Sequence, residues 1–275
     1  MNKFAINFNR KFSYLDEVGE IIINYKTGED HSLDSFMDFI GKEHPNQRIV
    51  IDCKDGDDFV STGRFYIIKG LKASGLENWV LRFDKITDES IEKIKEVGFP
   101  FFLNIGVAAW EDLYNFFDLG VTDVYIESQL GFCLDKVILV AREHNVKVRV
   151  RPNYASSMYF NEKSAYKFFI RPEDIEIYSP FVDIFEIYST EDFPMLGIIG
   201  YKAYAIDKYW YGDLNEIIPT IGSKLDSKYL HPLFGERRTR CMKKCLYGHS
   251  CAMCSTLTEL ADSLEAAKMT VELKK

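Results

Sequence analysis

Short runs of β-branched and aromatic residues recur along the chain, with amphipathic stretches between them. The runs are EIIINY (20–25), RIVIDCK (48–54), NWVLRFD (78–84), PFFLNIG (100–106), DVYIES (123–128), KVRVRPN (147–153), VDIFEIY (182–188) and YKAYAID (201–207), and each has the length and composition of a strand. Apolar residues in SLDSFMDFIGKEH, TDESIEKIKEVG, AWEDLYNFFDLG and FCLDKVILVAREHN recur instead at helical spacing. Three of these helices stop at Gly98, Gly120 or Asn145, residue types that take the left-handed conformation at a helix end with little strain. Eight strands alternating with helices predict an α/β fold, an eight-stranded β/α (TIM-like) barrel, with an open doubly wound sheet as the rival. The barrel is preferred because no glycine-rich phosphate-binding turn follows the early strands.

Parity within the strands sharpens the expectation. In RIVIDCK, Ile49, Ile51 and Cys53 share one face and Val50, Asp52 and Lys54 the other; in KVRVRPN, Val148 and Val150 oppose Arg149, Arg151 and Asn153. The polar parity also collects Asn24, Lys26, Arg82, Asp84, Asn104, Glu127, Glu186 and Tyr188. A barrel turns its apolar parity towards the helices, so the polar parity lines the interior and leads to the C-terminal strand ends, where barrel enzymes place their sites. One reading is a pocket in which Arg82, Asn104, Arg149, Arg151 and Asn153 hold a small anionic or polar ligand while Glu127, Glu186, Asp52 or Lys54 serves the chemistry. The other is an ionic core that satisfies itself and fills the barrel.

The segment AWEDLYNFFDLGVTDVYIES…LDKVILVAREHNVKVRVRPN resembles the rhythm of many β/α-barrel families, the collagenase-like peptidases among them. The resemblance covers roughly a sixth of the chain, is one of pattern, and transfers no site residue.

With 275 residues, 47% hydrophobic and 28% charged, the chain can bury a large core, and the formal charge of −8 argues against a whole-surface nucleic-acid binder. No apolar run has the length of a signal peptide or of a membrane span, so the expectation is a cytosolic protein with no membrane partner. Reducing surroundings favour metal ligation over disulfides where cysteines cluster. They do so in RRTRCMKKCLYGHSCAMC (237–254), where Cys241, Cys245, Cys251 and Cys254 follow one another at spacings that four thiolates around one metal can meet. Zinc in a structural role is the first reading; an iron-sulfur cluster is the alternative, and unligated thiols are the bland one. Arg237, Arg238, Arg240, Lys243 and Lys244 would offset the thiolate charge, or else form a local patch for nucleic acid. Cys53 and Cys133 stand apart as small hydrophobes.

After the window, Thr256 and Glu259 form a capping box ahead of a closing helix, which divides the chain into a barrel (1–228) and a four-cysteine metal-binding segment with its helix (229–275). Tyr209, Trp210 and Tyr211 stand side by side before Asp213, suited either to packing over the rim or to contact with a protein partner. The histidines fall away from the strand ends, and HExxH, Gly-x-Ser-x-Gly and Walker-type patterns are absent, so acid–base work falls to carboxylates or Lys54. These features point to an enzyme or enzyme-derived binder of a small ligand, with a non-catalytic assembly protein as the rival.

Overall fold

Seven of the eight apolar runs form strands, and an eighth strand region lies where the pattern is weakest, at the start of the chain. The computed structural model describes residues 3–7, 17–24, 46–63, 78–127 apart from 108, 134–157 apart from 155, 167–189, 195–221 and 226–230, with single residues at 43, 66, 68, 70, 193 and 235. Lys26, Cys133, the cysteine window with Cys241, Cys245, Cys251 and Cys254, and the predicted closing helix lie outside the described residues.

Strands β1 (Phe4–Asn7), β2 (Glu20–Asn24), β3 (Arg48–Asp55), β4 (Trp79–Lys85), β5 (Phe101–Leu103), β6 (Gly106–Val107), β7 (Asp123–Ile126) and β8 (Lys147–Val150) run in chain order, followed by a small antiparallel pair, β9 (Ser156–Ser157) with β10 (Lys167–Phe168), and by β11 (Ile184–Glu186). The main sheet has nine strands in the order β5-β4-β3-β2-β1-β11-β8-β7-β6, all parallel. Helices α1 (Gly56–Ser61), α2 (Asp88–Val97), α3 (Trp110–Asp118), α4 (Leu134–Glu143) and α5 (Ile175–Tyr178) lie in the crossovers that parallel strands require, and α6 (Met195–Tyr201) follows the last strand.

Three expectations are corrected. The segment YKAYAID is helical, not a strand: α6 ends at Tyr201 and continues into a wide turn of helix over Lys202–Asp207. Leu196, Gly197, Gly200, Tyr201 and Tyr204 are buried at helical spacing, and that longer periodicity outweighs the local β-propensity of the aromatics. The first strand is FAIN at Phe4–Asn7, too short and too asparagine-flanked to read as a strand, yet it pairs with both β2 and β11. Finally, the pairing is that of a curled nine-stranded sheet and not of eight evenly closed strands, because PFFLNIG is interrupted. Only Asn104 and Ile105 separate β5 from β6, and these two pieces serve the opposite edges of the sheet. The edges approach each other, since Thr122 just before β7 donates its backbone N–H to Phe101 O on β5 at 2.9 Å.

The apolar parity packs under the helices. Ile49, Ile51 and Cys53 on β3, Leu81 and Phe83 on β4, and Val148 and Val150 on β8 are all buried. Phe83 meets Phe59 of α1 edge-on at 5.6 Å, and Trp79 meets Phe99 at 5.2 Å. Helix α2 starts on the Thr87 hydroxyl, which accepts from Ser90 N–H, and stops at Gly98 with φ 73°. Gly120 (φ 76°) and Asn145 (φ 58°) stop their helices in the same left-handed conformation. Replacing Phe83 by Ala empties the β4–α1 contact and is expected to cost about 3–5 kcal/mol, measured as a lower urea midpoint with an unchanged denaturant slope.

Candidate ligand site at the strand ends

The polar parity meets inside the curl of the sheet, and its lowest layer comes from residues at strand starts. Arg48 opens β3 and holds Asp123, the first residue of β7, through two parallel contacts of 2.7 and 3.0 Å, while its Nη1 also donates to Glu20 Oε1 at 2.9 Å. From above, Arg149 Nη1 donates to Asp123 Oδ2 at 2.7 Å, and its Nη2 lies 2.8 Å from Glu20 Oε2. Burial works against ionising Asp123, but Arg48 and Arg149 outweigh it and hold its carboxyl below the usual range.

Glu186, the last residue of β11, is the hub of the next layer. It accepts from Arg82 Nη1 at 3.2 Å, from Arg149 Nη2 at 3.2 Å, from Arg151 Nε at 3.1 Å, and from the Tyr125 hydroxyl. Burial alone would raise its pKa; the guanidiniums of Arg151, Arg82 and Arg149 reverse that and hold the carboxyl far below the carboxylate range. Burial and the Glu186 charge together raise the Tyr125 pKa, so the phenol stays protonated and donates. The aromatic rings complete the packing, with Arg149 over Phe102 at 4.6 Å and Arg151 over Tyr125 at 4.2 Å.

The contacts continue into a closed ring at the strand ends. Arg82 Nη2 donates to Asp52 Oδ2 at 2.5 Å, and Lys54 Nζ lies 2.7 Å from that same oxygen and 3.6 Å from Asp84 Oδ2. Asp84 accepts from Asn104 Nδ2 at 2.8 Å, Asn104 accepts from Arg151 Nη2, and Arg151 returns to Glu186 and hence to Arg82. Lys54 sits in a β-bulge with φ 62°, the left-handed region that a non-glycine residue occupies only under constraint. This conformation carries its ammonium over Asp52. Exposure rises through the layers: Asp52 and Arg149 are 0% exposed, whereas the side chains of Arg151 and Lys54 are 22% and 54% exposed.

Glu127 follows β7 and stands outside the ring. Its half-buried carboxylate makes no hydrogen bond or ion pair to another described side chain, and it lies against Gly106 so closely that a Cβ there would fall 2.0 Å from Oε1. Glycine at 106 therefore makes the room that the carboxylate occupies.

Of the residues singled out in the sequence, Asp52, Lys54, Arg82, Asn104, Arg149, Arg151 and Glu186 come together in one hydrogen-bonded assembly, with Glu127 at its margin. Asn153 does not join it. Its side chain donates to Tyr188 O at 2.8 Å and accepts from Tyr188 N–H at 2.6 Å, which ties the ends of β8 and β11 together. Glu20, Arg48, Asp123 and Tyr125 belong to the assembly and escaped the sequence reading. Asp123 and Tyr125 share the parity of Glu127, so extending that parity back along β7 would have found them. Among the aromatics of 209–211, Trp210 Nε1 donates to Asp213 O at 3.1 Å and packs on the core, whereas Tyr211 is 87% exposed. No group of three or more His, Cys, Asp or Glu side chains suited to a metal occurs among the described residues, and no helix among them is long and apolar enough to cross a membrane.

No family model matches the chain, and no curated protein matches it. Solved structures do. A cube-shaped porous protein cage designed by fusing symmetric oligomeric domains aligns over 92% of this chain and 70% of its own, at 9% identity and a TM-score of 0.37. A DUF72 family protein from Thermotoga maritima aligns over 50% of this chain and 77% of its own, at 12% identity and a TM-score of 0.31. The description of the fold rests on the strand pairing itself.

The assembly sets an acid limit on stability. Asp52, Asp123 and Glu186 have folded pKa values below their unfolded ones. Their contribution is therefore complete above the unfolded carboxylate range of about 3.9–4.3 and is lost as the pH falls through the lower folded values. Glu186→Gln keeps the shape and deletes the charge. It is expected to lose about 3–5 kcal/mol near neutral pH, because three guanidiniums lose their shared partner. Its stability should also fall less steeply with acid than that of the parent, as followed by denaturant titrations between neutral and acid pH.

Proposed function

We propose that the curled sheet is an eight-staved β/α barrel in which β5 and β6 form one interrupted stave, and that its C-terminal strand ends bind a small polar ligand as the site of an enzyme or an enzyme-derived binder. The supporting observation is the gradient in one continuous assembly: buried and charge-paired below, it opens upward to Lys54, Asp84, Asn104 and Arg151, with Glu127, which has no partner among the described side chains, against Gly106 two residues beyond Asn104. Buried charges that only filled space would end paired. The adjacency of β5 and β6 in the chain, at opposite edges of the sheet, supports the barrel.

Roles follow from surroundings. Glu186, saturated by Arg82, Arg149 and Arg151, orients Arg151 towards the ligand. Glu127 is the carboxylate with capacity to take or give a proton, and Lys54 and Asn104 position polar atoms of the ligand. In the segment beyond the barrel, Cys241, Cys245, Cys251 and Cys254 would hold a structural zinc ion, with an iron-sulfur cluster as the alternative occupant of the same thiolates.

A second reading, an interaction or assembly protein with a closed ionic core, draws support from the balance of Glu20, Asp52, Asp123 and Glu186 against Arg48, Arg82, Arg149 and Arg151 and from the exposed Tyr211. The two readings separate at Glu127. Glu127→Gln is expected to change stability by less than about 0.5 kcal/mol while abolishing ligand binding or turnover in a screen of small polar compounds. A ligand bound equally well by the variant removes Glu127 from the site. For the cysteine window, elemental analysis is expected to find one zinc per chain, and iron with sulfide would select the alternative.

A further inference from the structure

The ring of side chains at the strand ends is electrically neutral: Asp52, Asp84 and Glu186 are matched by Lys54, Arg82 and Arg151. The guanidiniums of the ring and of Arg149 beneath it are already committed, since Arg82 bonds Asp52 and Glu186, Arg149 bonds Asp123 and Glu186, and Arg151 bonds Glu186 and Asn104. An incoming anion would have to displace a buried carboxylate from them, at the cost of leaving that carboxylate uncompensated.

Vacant hydrogen-bonding capacity at the mouth is mainly of the opposite kind. Glu127 adds a negative charge with no partner among the described side chains. Oδ1 of Asp52, a residue 0% exposed that touches the rim through Lys54, accepts no hydrogen bond from the described residues, and neither does the buried Oδ1 of Asn7 at the end of β1. The unpaired donors are the inner Nε atoms of Arg82 and Arg149, on side chains no more than 5% exposed whose terminal nitrogens already hold carboxylates. Asn104 donates to Asp84 at 2.8 Å and stands two residues before Gly106, the residue against which the Glu127 carboxylate lies, so Asp84 and Glu127 both flank the short segment 104–106.

We propose that the ligand is a cation, a small molecule carrying a primary ammonium group, which Glu127 holds with Asp84 beside it. The inference rests on the ligand-site reading above and names the chemistry of its ligand. A primary ammonium offers three donors and a positive charge, which matches the vacant acceptors and the additional carboxylate that the described residues place there.

The test is an NMR titration of the full isotope-labelled chain at low ionic strength with n-butylammonium, tetramethylammonium and inorganic phosphate. n-Butylammonium is expected to shift the amide resonances of Gly106, Glu127 and Asn104, and Glu127→Gln to weaken it about tenfold, the loss of one charge-assisted hydrogen bond. Asp84→Asn, at a more exposed carboxylate, is expected to weaken it less. Tetramethylammonium, which has no donor, is expected to leave these resonances in place. Equal binding of the quaternary cation, or n-butylammonium binding unaffected by Glu127→Gln, overturns the proposal. Phosphate binding at Arg151 in place of ammonium overturns it while the ligand-site reading stands, and no shift at the rim with any probe overturns both.

Discussion

One buried carboxylate, Glu186, organises the interior. Three guanidiniums and a phenol from β4, β7, β8 and the residue after β8 converge on its two oxygens, so the inner faces of these strands and β11 are locked in mutual register by charge. An unpaired ion there would be costly to desolvate. The arrangement is tolerable because each member is shared: Arg149 also holds Asp123 and faces Glu20, while Arg82 also holds Asp52. A hydrophobic filling could stabilise the same space as well. What the ionic filling adds is orientation, since Arg48, Arg82 and Arg149 are each fixed in direction by carboxylates on two strands, and Arg151 by Glu186 and the Asn104 amide.

How far this was legible can be argued residue by residue. Parity in RIVIDCK and KVRVRPN separated the face under the helices from the face inside the sheet, because a period of two survives any error in strand boundaries. The assembly of Asp52, Arg82, Arg149, Arg151 and Glu186 followed from it. Glu20, Arg48 and Asp123 escaped because charges at strand starts look like solvated flanks, and only the curl of the sheet turns them inward. The role expected of Asn153 also differs from its contacts. A strand-end amide is as able to bridge two backbones as to meet a ligand, and its bond to Tyr188 depends on a partner 35 residues away.

The misread ends of the fold have a common cause. FAIN offers four residues of pattern, less than a sequence window needs, whereas YKAYAID has the length and the aromatic content of a strand. Burial decided the second case: the residues that needed covering, from Leu196 to Tyr204, recur at helical spacing, and tertiary packing overrode local propensity. The hydroxyl of Tyr204 then donates to Ile170 O at 2.6 Å, an anchor that an alternating strand reading would not have found.

The interruption between β5 and β6 joins fold to site. An unbroken strand would continue the ladder past Asn104 and carry a side chain at every inward position of the stave. Asn104 makes the last backbone bond of the β4–β5 ladder, to Phe83 O, and spans Asp84 and Arg151 with its side chain, and two residues later Gly106 presents no side chain at all. The space this leaves is filled by the Glu127 carboxylate. Adding a methyl group at Gly106 would therefore act on the site through Glu127 and not through the core, because the atoms it would meet belong to that side chain. The same two features of the stave, an asparagine that ends the β4–β5 ladder and a glycine that yields its volume, thus bring a carboxylate with no partner among the described side chains to the segment that joins the ionic ring.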